Sequence, residues 1–420
     1  MGAYAQTSYP LTLEKLYRLA DERSQAIRVE EAAVEEATAA VKVAQADRLP
    51  DLNLSLSASY LGDGCLTDRD FGNGHNIPMP HFGNNFAVEA TQLIYGGGVV
   101  TQSIALARLK EEMASLSLEA TRSRVRFLLT GFYLDLCKLQ NLRQVYDHNI
   151  ELAREVIADT EVRLKQGVAL KNDLTRYELQ LRQLELARLR TDNAIHVLNY
   201  DLVTMLGLEP GVVIVPNRAE LAQSLPQEGV MTWQQRAEEQ AFSLRQSELS
   251  VRLGERAERL ARAERLPKLS LIAANHFDGP ITIEVPVIDK NFNYWFVGLG
   301  VSFRISSLYK ANKGVKRARL ATELNRQRLE QQREELSRAV YADHVHYLEA
   351  YDEVATLEKQ VVLAKENYAV VENRYRNEIV LVTDMLDAAS RLLEAELQLA
   401  NARIQTQFLY RKLQYTAGNL

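Results

Sequence analysis

Residues 373–418 read NRYRNEIVLVTDMLDAASRLLEAELQLANARIQTQFLYRKLQYTAG. The stretch holds no proline, and its only glycine is the last residue. A turn is expected over 377–382. A helix follows, with Thr383 as its cap and Asp384 in its first turn, where a carboxylate suits the positive end of the helix dipole. Apolar residues then recur at Leu386, Ala389, Leu393, Leu397, Ala400, Ile404 and Phe408, in steps of three and four that return every eleven residues. A period of about 3.67 predicts a nearly straight or slightly right-handed helical wall rather than a leucine zipper.

The stretch has an earlier echo. Arg163-Leu164-Lys165-Gln166-Gly167-Val168 parallels Arg374-Tyr375-Arg376-Asn377-Glu378-Ile379, and Asn172-Asp173-Leu174 parallels Thr383-Asp384-Met385, both at an offset of 211 residues. A repeat of half the chain predicts one object built twice. The first repeat, 1–229, is expected to hold a helix over 13–47 capped by Thr12, a strand pair within 51–95, a long helix over 99–166, a helix over 172–206 and a small mixed patch over 207–229. The second, 230–420, repeats the order: a helix over 232–265, a strand pair within 268–305, a long helix over 314–376 and a helix over 383–417. Arg265-Leu266-Pro267 echoes Arg48-Leu49-Pro50 at the strand entries, here at an offset of 217.

Two periods support this plan. Leu52, Leu54, Leu56, Ala58 and Tyr60 alternate with Asn53, Ser55, Ser57 and Ser59, which is the pattern of a strand with one apolar and one polar face. About ten residues is the length of a tilted membrane-barrel strand. Trp295, Val297, Leu299, Val301, Phe303 and Ile305 alternate still more clearly. No proline falls between His81 and Glu209, so the first long helix would run roughly 100 Å. A helix of that length implies a bundle, a coiled coil or a tube.

Composition narrows the function class. The chain has 420 residues, 46% hydrophobic and 25% charged, so it is not disordered by composition. A net charge of −5 gives no reason to expect nucleic acid. No apolar run reaches the length of a membrane helix, although barrel strands would leave little hydropathy signal. Cys65 and Cys137 fall in segments of different type, so neither a disulfide nor a metal site is expected. Ala3-Tyr4-Ala5 looks like the small-residue end of a secretory signal, so removal of a signal is expected, with a ragged cytosolic start as the alternative.

Other candidates dissolve on inspection. His75, His81, Asp68 and Asp70 sit in a Gly/Asn-rich loop without metal-ligand spacing. Gly96-Gly97-Gly98 lacks the lysine and hydroxyl of a phosphate cradle and fits a tight strand-to-helix turn. No nucleophile–base or paired-carboxylate arrangement argues for an enzyme, and no cofactor is implied.

The chain resembles the TolC-like outer-membrane efflux proteins over essentially its whole length. The resemblance rests on the duplicated helix–hairpin–long helix–helix plan, both R-L-P strand entries, the junction from Gln92 to Gly98, and the segment VTDMLDAASRLLEAELQLANAR. It implies a mainly α fold with a membrane β-barrel part. Three identical chains would each give four strands to a twelve-stranded outer-membrane barrel and their helices to a long periplasmic tunnel. It further implies an exit duct of a tripartite efflux or type I secretion system in a Gram-negative outer membrane, working with a periplasmic adaptor and an inner-membrane pump of the RND or ABC type.

The resemblance also assigns residues. Asp384 and Asp387 match an acidic ring at the periplasmic aperture. The alternative for Asp384 is that it merely serves its helix N-terminus, as Asp173 would in the other repeat. Tyr375 matches a tyrosine that ties the aperture shut, with Asn172 and Asp173 as its acceptors, while Val380 stands at the position of the companion arginine and Glu378 at that of the second turn's glycine. Gly167, Val168, Asn377, Glu378 and Ile379 would form the hairpin tips that meet the adaptor. Tyr60, Phe86 and Trp295, read at the loop-proximal strand ends, would form an aromatic girdle in the lipid interface. The competing reading is a soluble coiled-coil scaffold or tether, which explains the helices but not the four alternating segments. Nothing in the residues selects among drug, metal and protein cargo.

Overall fold

The structure is a computed structural model and describes residues 8–217, 225–284, 287–377 and 379–420. The Ala3-Tyr4-Ala5 segment and Glu378 lie outside the described residues. The first repeat runs β1 (Ser8–Leu11), α1 (Leu13–Arg23), α2 (Gln25–Ala46), β2 (Asp51–Tyr60), β3 (Gly64–Leu66), β4 (His75–Ile77), β5 (Phe82–Tyr95), α3 (Val99–Lys165), α4 (Lys171–Met205) and β6 (Val213–Pro216). The second runs α5 (Val230–Gln240), α6 (Phe242–Ala263), β7 (Lys268–Gly279), β8 (Phe292–Ser302), α7 (Ser307–Arg376) and α8 (Val382–Thr416).

Several expected boundaries move. The helices expected over 13–47 and 232–265 are each broken, at Ser24 (ψ 125°) and Ala241 (ψ 122°). Both breaks are extended residues whose own N–H still bonds back four residues, to Ala20 and Ala237. They lie 217 residues apart, the offset that relates Pro50 and Pro267, so the break belongs to the repeat. The second helix starts behind Gly229 rather than at Thr232, and α7 starts at Ser307, inside the expected turn. Three strands reach further toward the loops than the alternation at Phe86, the run 268–275 and the alternation from Trp295 predict: β5 begins at Phe82, β7 continues to Gly279 and β8 begins at Phe292. Thr12 caps α1 as expected, accepting from the Lys15 N–H at 3.2 Å.

The chain divides into two compact bodies, each drawn from both repeats, so the sequence halves are not separate bodies. The first comprises Met1–Ala33, Ser115–Ser247 and Leu329–Leu420. One of its cores gathers Leu11, Leu16 and Leu19 with Leu129, Tyr133 and Leu136 of α3, Leu202 and Leu206 of α4, and Ile214 of β6. Here the expected mixed patch includes a parallel pair, β1 with β6, and the Tyr133 hydroxyl accepts the Asn217 N–H at 2.9 Å. A second core is the counterpart from the other repeat, with Trp233, Ala237, Ala241, Val340, Tyr347, Tyr410 and Leu413.

The apolar line expected on α8 is shifted. Met385, Ala388, Leu392, Ala395 and Ala402 are buried, while Leu386, Ala389, Leu393, Leu397, Ala400 and Phe408 of the expected line are half-buried and Ile404 of that line is buried. Two adjacent apolar lines suit a helix packed between two neighbours.

The second body, Val34–Ala114 with Glu248–Arg328, carries an antiparallel sheet ordered β2-β5-β7-β8. Its register places Leu52, Leu54, Leu56 and Tyr60 on one face with Phe82, Phe86, Val88 and Ala90, and continues it through Leu269, Leu271, Ala273 and Phe277 to Trp295, Val297, Leu299 and Val301. That face is bare: Leu54 is 67% exposed, Trp295 74% and Val301 72%. The opposite face carries Asn53, Ser55, Ser57, Ser59, Thr91 and Glu89. Beside Glu89, His276 lies 3.8 Å away and stacks on Tyr294.

The strand-to-helix junction after β5 depends on one glycine more than its neighbour. Gly97 has φ +65°, and a Cβ there would sit 2.8 Å from the Leu266 Cβ and 2.9 Å from the Ala263 carbonyl. Gly98 has φ +87° but open space around it. Gly97→Ala combines left-handed strain with overlap against backbone and should cost about 2–4 kcal/mol, whereas Gly98→Ala should cost about 1. Thermal midpoints of the two purified variants measure the difference, and equal shifts would refute it.

Candidate functional site: the paired hairpin ends

The two helical hairpins of the first body end alike. Val168 N–H bonds the Arg163 carbonyl at 3.0 Å and Ile379 N–H bonds the Arg374 carbonyl at 2.9 Å, the closing bond of a Schellman turn in both repeats. Gly167, at φ +79°, supplies the left-handed residue of the first turn. Asn377 donates its side-chain amide to Asn373 O at 2.7 Å. Val168 and Ile379 project from the two turns, 55% and 70% exposed, and Leu170 and Leu381 follow at 69% and 71%. The tips therefore present two matched pairs of bare aliphatic side chains.

The helices that leave these turns are capped from within. Leu381, not Thr383, takes the cap position of α8, and its N–H donates to Asp384 Oδ2 at 3.1 Å. Leu170 and Asp173 make the same bond, also at 3.1 Å, at the start of α4, so neither Asn172 nor Asp173 is the cap residue. Asp384 thus has the same structural task as its repeat partner. Asp387 has no counterpart in that task; it is 63% exposed and pairs with Arg391 at 2.8 Å. Asp384 and Asp387 both stand exposed near one turn of one helix.

Tyr375 is buried, but its hydroxyl meets Thr160 Oγ1 at 3.4 Å. Among the described residues no hydrogen bond joins it to Asn172 or Asp173 within this single chain. Asn172 is exposed, and Asp173 is engaged in its cap. The Tyr375 ring lies edge-on to Tyr177 in a cluster with Tyr368, Met385, Ala388 and Leu392 that joins both hairpins. Burial pushes the Tyr177 phenol far above its usual range, reinforced by Tyr375 beside it. Burial likewise raises Tyr368 to about 12, so these phenols stay neutral at any working pH.

The residue that sequence reasoning missed is Arg163. Its guanidinium donates to the Tyr375 carbonyl at 3.1 Å and the Arg376 carbonyl at 3.0 Å, lies 5.1 Å over the Tyr375 ring and pairs with Asp159 at 3.0 Å. It thereby clamps the C-terminal turn of α7, where carbonyls lack helical donors, to α3. The repeat itself hides this. Arg374, the counterpart of Arg163, is exposed and has no ion pair among the described residues. The signal present was only an arginine beside an aromatic-rich turn.

The expected girdle residues share the apolar face of the sheet but not one level. Tyr60 ends β2 opposite Phe82, whereas Phe86 lies four residues inside β5 and Trp295 three inside β8, opposite Asn275. The strand ends are Tyr60, Phe82, Gly279 and Phe292. In the loop, Asp68 accepts from Asn73, Asp70 from the Gly72 N–H, and the His75 and His81 rings bond the Asn73 and Leu61 carbonyls, so each serves a local turn. Neither Cys65, which is exposed, nor Cys137, which is buried, is in a disulfide among the described residues.

The profile of the family described as outer membrane efflux protein matches residues 16–208 and 233–419. No curated protein matches significantly. Among solved structures, the outer membrane protein VceC of Vibrio cholerae is 15% identical with a TM-score of 0.79, over 97% of this chain and 96% of that one. The CmeC outer membrane channel of Campylobacter jejuni is 15% identical with a TM-score of 0.78, over 97% and 85%. The MtrE outer membrane channel of Neisseria gonorrhoeae, solved in its open state, is 15% identical with a TM-score of 0.76, over 97% and 89%. At this identity the structures establish the shared fold, and the profile establishes descent.

Proposed function

We propose that this chain, which belongs to the outer membrane efflux protein family, is the outer-membrane exit duct of a tripartite efflux system and works as a closed homotrimer. The observation that carries the reading is the four-stranded sheet. One face is apolar and bare, the other is polar along β2 and mixed across β7 and β8, and both β2 and β8 are open edges among the described residues. Hydrocarbon tolerates an apolar face but no open edge. Four strands are too few to close a barrel, and three copies give twelve. A soluble scaffold has no use for such a face.

The helices carry further surface for neighbouring copies. Leu179, Leu186, Val197 and Tyr200 stand exposed on α4, and Val362, Leu363 and Val370 on α7. The duct is passive, and the energy comes from an inner-membrane pump joined through a periplasmic adaptor. The aliphatic tips at Val168, Leu170, Ile379 and Leu381 are where the adaptor would seat. Asp384 and Asp387 would ring the aperture, six carboxylates in a trimer, favouring cations there.

Single-channel current across a planar bilayer tests this. Discrete steps with cation preference are expected for wild type. In Asp384→Asn/Asp387→Asn the cation-to-anion permeability ratio should fall roughly threefold or more. Unchanged selectivity would move the constriction away from these residues. Absence of steps from folded protein would remove the duct.

A further inference from the structure

We propose that the start of α7 and the end of α6 form a cationic collar that binds the phosphate headgroups of the membrane leaflet meeting the base of the sheet. This rests on the outer-membrane reading above. No acidic residue lies between Asp289 and Glu323, yet Arg304, Lys310, Lys313, Lys316, Arg317 and Arg319 fall there. All six are exposed, and none has an ion pair among the described residues. Further along the same helix acidic residues return and several cations are paired, Arg326 with Glu255, Arg333 with Glu330 and Arg376 with Glu372, although Arg374 has no ion pair among the described residues.

Helix energetics do not explain these cations. Lys310 closes the first turn of α7, where the helix dipole disfavours positive charge, and Lys313 and Lys316 lie in the next two turns, beyond the reach of any favourable dipole contact. The junction itself does not require them either. The start of α3 follows β5 in the same strand-to-helix arrangement and carries no charged residue before Arg108. Something other than local folding must favour a positive charge at the second junction.

The collar is contiguous. α6 packs antiparallel on α7, since Asn325 donates to the Ser250 carbonyl at 3.0 Å and the Gly254 backbone approaches Thr322. Carrying that register upward brings Arg259 level with Arg317, and Arg262 and Arg265 level with the turns that bear Lys310 and Lys313. Arg259, Arg262 and Arg265 also line a notch of about 580 Å³ beside Gly97 and Leu266. Of these, Arg262 is already paired with Glu258, and Arg259 and Arg265 have no ion pair among the described residues.

Position identifies the anion. The apolar face of the sheet ends at Leu52, Leu269 and Val301, and the collar begins within a few residues of that end. Between the two stand Phe303, Ile305 and Tyr309, exposed by 41%, 73% and 63%. Apolar and aromatic side chains next to lysine and arginine are the composition of a membrane interface. A surface of phosphodiesters fits long, unpaired, flexible cations better than a single small anion would, because the cations are spread over about 14 Å of helix.

Native mass spectrometry of the full oligomer in non-ionic detergent, mixed with equal amounts of phosphatidylglycerol and phosphatidylcholine, tests the collar. Each cation near an anionic surface is expected to contribute about a fivefold preference. Wild type should therefore retain phosphatidylglycerol at least tenfold over phosphatidylcholine at about 0.05 M salt and lose most of that preference at about 0.5 M. Lys310→Gln/Lys313→Gln/Lys316→Gln/Arg317→Gln should approach parity at both salts, while Arg326→Gln/Arg333→Gln should behave as wild type.

Parity in wild type at low salt would overturn the collar even if the variant fails to fold. If inorganic phosphate strips the bound phosphatidylglycerol completely where chloride at the same low ionic strength, about 0.05 M, does not, the site recognises free phosphate and the membrane assignment of the collar is wrong. Protein that stays monodisperse without detergent and retains neither lipid would sink the outer-membrane reading itself, which parity with both lipids retained would not.

Discussion

Leu54→Arg is expected to empty the membrane of this protein, and Ser55→Arg, one residue away, is not. Leu54 lies near the middle of β2 on the bare apolar face, opposite Val88, and is 67% exposed in the single chain. An arginine on the lipid face at the bilayer midplane costs about 2–4 kcal/mol. Three copies would then cost about 6–12 kcal/mol, comparable to the whole stability of an ordinary fold. Ser55 pairs with Ala87 and points to the opposite, polar face. An arginine there changes the field in the duct without facing lipid. The two variants differ in position by one step of the pleat, so propensity and charge are the same and only the face changes. The measurement is the amount of trimer in isolated outer membranes. Equal amounts of the two variants would mean that the apolar face does not meet lipid.

The sequence was readable where one period dominates. The alternation in β2 survives, and that in β8 survives as far as Val301, short of the expected Phe303 and Ile305, because each residue of a half-exposed strand answers to a single face. The long helices were legible because no proline or glycine competes over 99–130. The breaks at Ser24 and Ala241 were not legible. Neither residue is a helix breaker, and the interruption follows from where Leu16, Leu19 and Trp233 must pack, which is a tertiary demand. β1 escaped notice because four residues cannot display a period; its partner β6, 205 residues later, is what makes it a strand.

At the hairpin ends the legible part was what the repeat shows twice. Gly167, the Schellman bonds and the capping carboxylates Asp173 and Asp384 all follow from local chemistry, and local chemistry is copied with the sequence. The stripe on α8 was misplaced by one residue over 385–393, though not at Ile404, because a helix with two neighbours has two apolar lines, and the sequence ranks them by hydrophobicity, not by burial. Leu386 and Leu393 are larger than Ala388 and Ala395, yet the small residues are the more buried, where helices approach most closely. The role of Arg163 was invisible because it depends on what lies across from it. The same residue type at Arg374 faces solvent.

That asymmetry gives the second large effect: Arg163→Ala should loosen the turn that ends α7 from α3. The side chain is only 14% exposed, so its bonds are made largely out of water. Bonds from a charged donor contribute about 1.5–3 kcal/mol each, and two of them hold the Tyr375 and Arg376 carbonyls. Water can replace part of this once the side chain is gone, so a net loss of about 2–4 kcal/mol is expected. If closure of the aperture depends on the turn that these carbonyls anchor, the ratio of closed to open channels falls by roughly thirtyfold to a thousandfold. Arg163→Lys keeps the charge but loses the planar fork that reaches both carbonyls while lying over the ring, so it should fall between. Arg374→Ala is the matched control and should leave gating unchanged. The readout is the fraction of time open in single-channel records. An Arg163→Ala channel that stays closed as long as wild type would show that the two hairpins of a chain open together, and that the resisting contacts lie between chains.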